Sequence, residues 1–143
     1  MIDILHVDDN CAEVDLLREA LTERNVLATV REYPTVAEAQ RFIRVRFTSG
    51  GVPPPNVIVI GASPRDEPFG FITFLRDHAV LGHVPVVLIG DAEWMMNTAT
   101  EARQHLDELR RNPRCTVVPR AFDWDGQLAL VDRILALLRQ PEG

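Results

Sequence analysis

Asn56-Val57-Ile58-Val59-Ile60-Gly61 is an unbroken run of β-branched apolar residues that follows a Gly-Gly-Val-Pro-Pro-Pro loop and ends on a glycine. A short apolar run without alternation, set between turn signals, reads as a strand buried on both faces, as at the middle of a parallel sheet. In open parallel sheets the functional crevice lies beyond the carboxyl ends of the strands, where strand order reverses. The run delivers Gly61, a residue without a side chain, to that edge.

The flanking segments repeat the same theme. Ile2–Val7 reads as a first buried strand ending in the pair Asp8-Asp9. Asn10 can cap a helix over 11–24, where Val14, Leu16, Leu17 and Leu21 recur at helical spacing. Residues 26–33 alternate loosely as a second strand near an edge. Thr35 then caps a helix carrying Val36, Ala39, Phe42, Ile43 and Val45, with Glu38 placed for a capping box.

Beyond the central run, residues 62–68 are polar and turn-rich, and 69–81 form a helix that Gly82 stops. Val84–Ile89 is a fourth buried strand, with Pro85 near its start. Asp91 caps a long helix over 92–111, and 114–118 is the fifth strand. Asp123 or Asp125 caps a last helix rich in leucine. Five strand–helix alternations without a composition break predict one domain over 1–143, an α/β fold with a doubly wound five-stranded parallel sheet. The flavodoxin-like order 2-1-3-4-5 is the natural one for five such units.

Composition narrows the chemistry. At 143 residues the chain can bury a proper core, and its net charge of −6 argues against a general nucleic-acid surface. No apolar run approaches the roughly 20 residues of a membrane span, and no secretory signal opens the chain. Cys11 and Cys115 suit a reduced cytoplasm and read as small buried hydrophobes. All 15 basic residues are arginine. Chemistry that needs a lysine, whether a phosphate-loop cation, a Schiff base or a general base, is thereby excluded. His6, His78, His83 and His105 show no metal-ligand spacing, and His6 reads as a hydrogen-bonded core residue. Gly50-Gly51 precedes a strand, the wrong context for a phosphate loop.

Ile4-Leu-His-Val-Asp-Asp-Asn10 followed by the first helix resembles the opening of a bacterial response-regulator receiver domain. The proline-rich loop, the Val84-Pro-Val-Val-Leu strand and the terminal leucine-rich helix extend the resemblance over essentially the whole chain. It is most similar to the small stand-alone receivers that partner histidine kinases and phytochrome-type sensors. The resemblance implies a site of two acidic residues holding Mg²⁺, an Asp nucleophile after strand three, a Thr or Ser after strand four and a Lys after strand five. Such a set combines hard-cation coordination, a carboxylate nucleophile and neutralisation of the phosphoryl charge.

Matched residue by residue, Asp8 and Asp9 supply the acidic pair. Gly61 stands at the phosphoacceptor position, Gly90 at the hydroxyl position and Val118, before Pro119, at the lysine position. Shifting the match by one residue offers only Ile60 or Ala62 as acceptor. The resemblance therefore implies a degenerate receiver that is not an enzyme and requires no cofactor. Asp8 and Asp9 would hold Mg²⁺ weakly or as a relic, pair with Arg120 or Arg65, or simply face water. An alternative keeps phosphotransfer on a displaced carboxylate such as Asp66. A flavodoxin-like enzyme or nucleotide binder is disfavoured, because no phosphate-loop pattern follows strand three.

What remains is protein–protein contact in a signalling pathway, with a sensor histidine kinase, another signalling protein or a second copy as partner. Receivers signal through helix four, strand five and helix five. Here that region carries Trp94, Met95, Met96 and Trp124, residue types that interfaces favour. In the last helix, Leu130, Ile134 and Leu137 lie beside a first stripe of Leu128, Val131, Leu135 and Leu138. That second stripe predicts a homodimer or partner contact.

Overall fold

The computed structural model describes residues 1–47, 52–62, 68–90, 100–120 and 123–139. Within them the chain runs β1 (Ile2–Val7), α1 (Cys11–Glu23), β2 (Ala28–Tyr33), α2 (Val36–Arg46) and β3 (Val57–Gly61). It continues with α3 (Pro68–Asp77), β4 (Val86–Gly90), α4 (Thr100–Arg111), β5 (Cys115–Pro119) and α5 (Trp124–Arg139). All strand pairs are parallel, and the order is β2-β1-β3-β4-β5, as anticipated.

Alternation along each strand splits the core into two layers. Leu5, Val7, Ile58, Ile60 and Leu88 pack with Ala39 and Ile43 of α2, Phe71, Ile72 and Leu75 of α3 and Leu109 of α4. Ile4, Val57, Val59, Val87 and Ile89 pack with Val14, Leu17 and Leu21 of α1 and Val131 and Ile134 of α5. The central run is therefore buried on both faces. Asn10 caps α1 by accepting from the Ala12 N–H, Thr35 caps α2 by accepting from the Glu38 N–H, and Asp123 accepts from the Gly126 N–H at the head of α5. Cys115 is buried, and burial pushes its thiol up to about 11, as befits a small hydrophobe. Among the described residues no helix is long and apolar enough to cross a membrane.

Two expectations need correction. The third helix ends at Asp77 rather than Leu81. His78 Nδ1 accepts the N–H groups of Val80 (3.1 Å) and Leu81 (3.3 Å), which diverts them from helical bonding. The chain then folds back, and the Gly82 N–H donates to the His78 carbonyl. A Cβ on Gly82 would lie 2.8 Å from the Arg76 carbonyl oxygen, so the turn needs glycine for close approach. Gly82→Ala is expected to cost about 1–3 kcal/mol in urea unfolding, because the obstructing atom is backbone and cannot rotate away.

The second correction concerns α5. Leu130, Ile134 and Leu137 are buried within the chain, Ile134 completely. The flanking Leu128, Leu135 and Leu138 are half-buried against the same layer. Both stripes are spent on the sheet and on α1, which packs beside α5. A helix wedged between a sheet and a neighbouring helix buries a wider arc than one lying on a sheet alone. The second stripe is thus core rather than an outward contact face. Trp94, Met95 and Met96 lie outside the described residues, as does the first part of the helix expected over 92–111.

Candidate functional site

The carboxyl ends of β1, β3, β4 and β5 meet at one crest. Asp8 follows β1 and is almost fully buried, while Asp9 beside it is exposed. Gly61 closes β3 in register with Ile89, and Gly90 closes β4 in register with Pro119. Val118 is buried in the α1–α5 layer and presents no polar atom to the crest. Gly61 and Gly90 are the last residues of their strands, and Val118 is the next to last of β5. Asp66 and Arg65 lie outside the described residues.

The crest is filled by an arginine. Arg120, one residue beyond β5, is anchored by its N–H to the Gly90 carbonyl (2.9 Å) and sends its guanidinium back across the strand ends. Nη1 pairs with Asp8 Oδ2 at 3.3 Å and donates to Glu13 Oε2, and Nη2 donates to the Ala62 carbonyl at 3.3 Å. Asp8 Oδ1 accepts the Asn10 N–H at 3.0 Å. Of the pairings the sequence allowed for Asp8, the one with Arg120 is formed, and Arg65 lies outside the described residues.

Glu13 is the residue that the sequence reading missed. It is the third residue of α1, and the cap at Asn10 starts the helix directly after Asp8-Asp9. The first turn therefore lifts the Glu13 carboxylate to the crest. A carboxylate on the first turn of a helix that opens beside an acidic pair was the available signal.

Two carboxylates share one cation here, and their protonation is pulled apart. Burial pushes the Glu13 carboxyl above its ordinary value, with Asp8 adding to the effect and Arg120 opposing it. Burial would also raise Asp8. Hydrogen bonds from the Glu13 carboxyl and the Asn10 N–H, with the Arg120 charge, outweigh it and hold Asp8 below the usual carboxylate range. Burial works against the Arg120 charge too, but Glu13 and Asp8 keep it more firmly protonated than usual. Beneath the cluster sits His6, 1% exposed, with Nδ1 lacking a hydrogen-bond partner among the described residues. It is the core residue expected, though not a fully satisfied one. Burial lowers its pKa from 6.5 to about 4; Asp8 opposes the shift, and Arg120 and Arg18 add to it.

No family model matches the sequence, and no curated protein does. Solved structures do. The phosphorylated cyanobacterial phytochrome response regulator RcpA superposes with a TM-score of 0.69 at 20% identity, over 93% of this chain and 90% of its own. The response regulator RPA3017, from red light signalling in R. palustris, gives 0.72 at 13% identity over 100% and 97%. The chemotaxis response regulator CheY4 of Vibrio cholerae gives 0.62 at 16% identity over 94% and 98%. This is the receiver fold.

Against that fold, Gly61 is the instructive position. A Cβ placed there would lie 2.2 Å from Asp8 Oδ2, 2.6 Å from Asp8 Cγ and 3.2 Å from Arg120 Nη2. The space a side chain would need at the end of β3 is thus taken by the Asp8–Arg120 pair. Gly61→Ala is expected to destabilise the fold by about 1–3 kcal/mol, since the displaced atoms are side-chain ends already committed to an ion pair. Gly61→Asp is expected to destabilise at least as much and to gain no phosphoryl mass from acetyl phosphate with Mg²⁺.

Proposed function

We propose that this chain is a signalling module of the receiver fold that takes no phosphoryl group at its crest and works by protein–protein contact. One observation carries the reading: a guanidinium from the chain itself occupies the pocket, already neutralising the carboxylates that would otherwise serve a metal and a phosphoryl group. Arg120 stands near the place of the missing lysine. Its planar fork bridges Asp8, Glu13 and the Ala62 carbonyl, which is a bracing role rather than that of a mobile point charge.

The same geometry speaks against Mg²⁺. A hard divalent cation needs about six oxygens at short range. Asp8 spends one oxygen on Arg120 and the other on the Asn10 N–H, and Glu13 is turned to Arg120 as well. A divalent ion beside Asp8 would also face the fixed positive charge of Arg120. In this reading Asp8 is a structural counterion, and the chain has no enzymatic step.

The partners proposed are a sensor histidine kinase, another signalling protein or a second copy. Trp124, 40% exposed at the head of α5, is an aromatic residue of the kind interfaces favour. The test is incubation with acetyl phosphate or beryllofluoride and Mg²⁺, read by intact mass and tryptophan emission. Unchanged mass and emission are expected. A phosphoryl mass gain overturns the reading and directs attention to Asp66.

A further inference from the structure

At the opposite end of the sheet from the crest lies a cavity of about 200 Å³, between the first residues of β1, the last turn of α2 and the segment leading into β3. Its walls include the rings of Phe42 and Phe47, Pro55 and the two arginines Arg31 and Arg46. The rings form a fixed array. Phe42 stacks on Tyr33 with centroids 5.0 Å apart and meets Phe47 edge-on at 6.1 Å. The Arg31 guanidinium carbon stands 5.6 Å from the centre of the Phe42 ring, so one cation is held in place by the aromatic wall.

The charge at this cavity is unbalanced. Among the described residues Arg18, Arg24, Arg110 and Arg120 have a carboxylate partner, while others such as Arg41, Arg44 and Arg133 have none. Neither Arg31 nor Arg46 forms such a pair among the described residues. Two guanidinium groups against the single carboxylate of Asp3, flanking an apolar hollow in a chain of net charge −6, leave the cavity net positive on an acidic protein. Each guanidinium fork matches a carboxylate or phosphate, and Phe42, Phe47, Val52 and Pro55 supply apolar walls. The volume suits one ring with one anionic group, below the usual range for larger cofactors. Asp3 also borders the cavity, which disfavours a ligand anionic at both ends.

We infer that this cavity binds a small aromatic anion, a single planar ring bearing one carboxylate or phosphate, with Arg31 and Arg46 holding the charge and Phe42 and Phe47 the ring. The site shares no residue with the crest, so it stands or falls apart from the reading given there.

Fluorine NMR on the whole chain tests it, with para-fluorobenzoate and para-fluorophenyl phosphate as probes and para-fluorobenzyl alcohol as the uncharged counterpart. Saturable binding of at least one anion is expected, with little or none of the alcohol, and the preferred anion tells carboxylate from phosphate. Arg46→Gln and Arg31→Gln, both at exposed positions, should each weaken it about tenfold, whereas Arg110→Gln on α4 should not. Three results would each overturn the proposal: no saturable binding of either anion, equal binding of the alcohol, or an equal loss in Arg110→Gln.

Discussion

Replacing Arg120 with alanine lowers the free energy of unfolding by about 3–5 kcal/mol at neutral pH, the usual penalty for leaving buried charge without its partner. The Arg120 and Glu13 side chains are each 12% exposed and that of Asp8 only 2%, so little water is at hand to take over. Two carboxylates depend on this one cation, which places the effect above that of a surface ion pair. The loss should shrink at pH 5, because without the guanidinium both buried carboxylates take up protons more readily than exposed ones do. Urea unfolding of the variant at the two pH values measures both effects. A loss under about 1 kcal/mol at neutral pH would show that the cluster is solvated rather than internally neutralised.

Acidification is the second large effect, and it runs through His6. The unfolded chain protonates this imidazole near 6.5, whereas the folded chain resists until about 4. Between those values the unfolded state binds more protons, so the stability contributed above 6.5 is lost as pH falls, by about 3 kcal/mol in total. Glu13 works in the opposite sense. Its raised pKa favours the folded state as pH drops toward the ordinary carboxylate range, which opposes the decline. His6→Leu, which keeps an apolar side chain of similar bulk on the strand, should flatten the slope between pH 6.5 and 4. A variant with the same acid sensitivity as the parent would move the effect away from His6.

Much of the architecture was legible because it rests on local pattern. The β3 run, the capping residues Asn10 and Thr35 and the alternation of strands and helices each follow from short-range rules. These do not fix the strand order, for which 2-1-3-4-5 was the natural choice for five such units and is the one formed. The emptiness of position 61 was legible too, since a missing side chain needs no geometry to be noticed. What escaped depended on neighbours distant in sequence. Glu13 matters only because the cap at Asn10 turns α1 so that its first residues face Arg120, which is more than a hundred positions away. The end of α3 depends on the His78 ring reaching two amides ahead of it, a competition that helical spacing does not register. From sequence the second apolar stripe of α5 reads as an outward surface, because periodicity reveals width, not what lies beside the helix. Here α1 lies beside it.

The Arg120 side chain joins places numbered 8, 13, 62 and 120, the ends of three strands and the first turn of a helix. Segments that loosen independently in an ordinary loop crest are here tethered to one cross-brace. The Ala62 amide bonded to the Ile89 carbonyl and the Arg120 amide bonded to the Gly90 carbonyl belong to that unit. In native-state hydrogen exchange these two protons should therefore leave at a common rate, as one cooperative opening. Cutting the brace would let them part company.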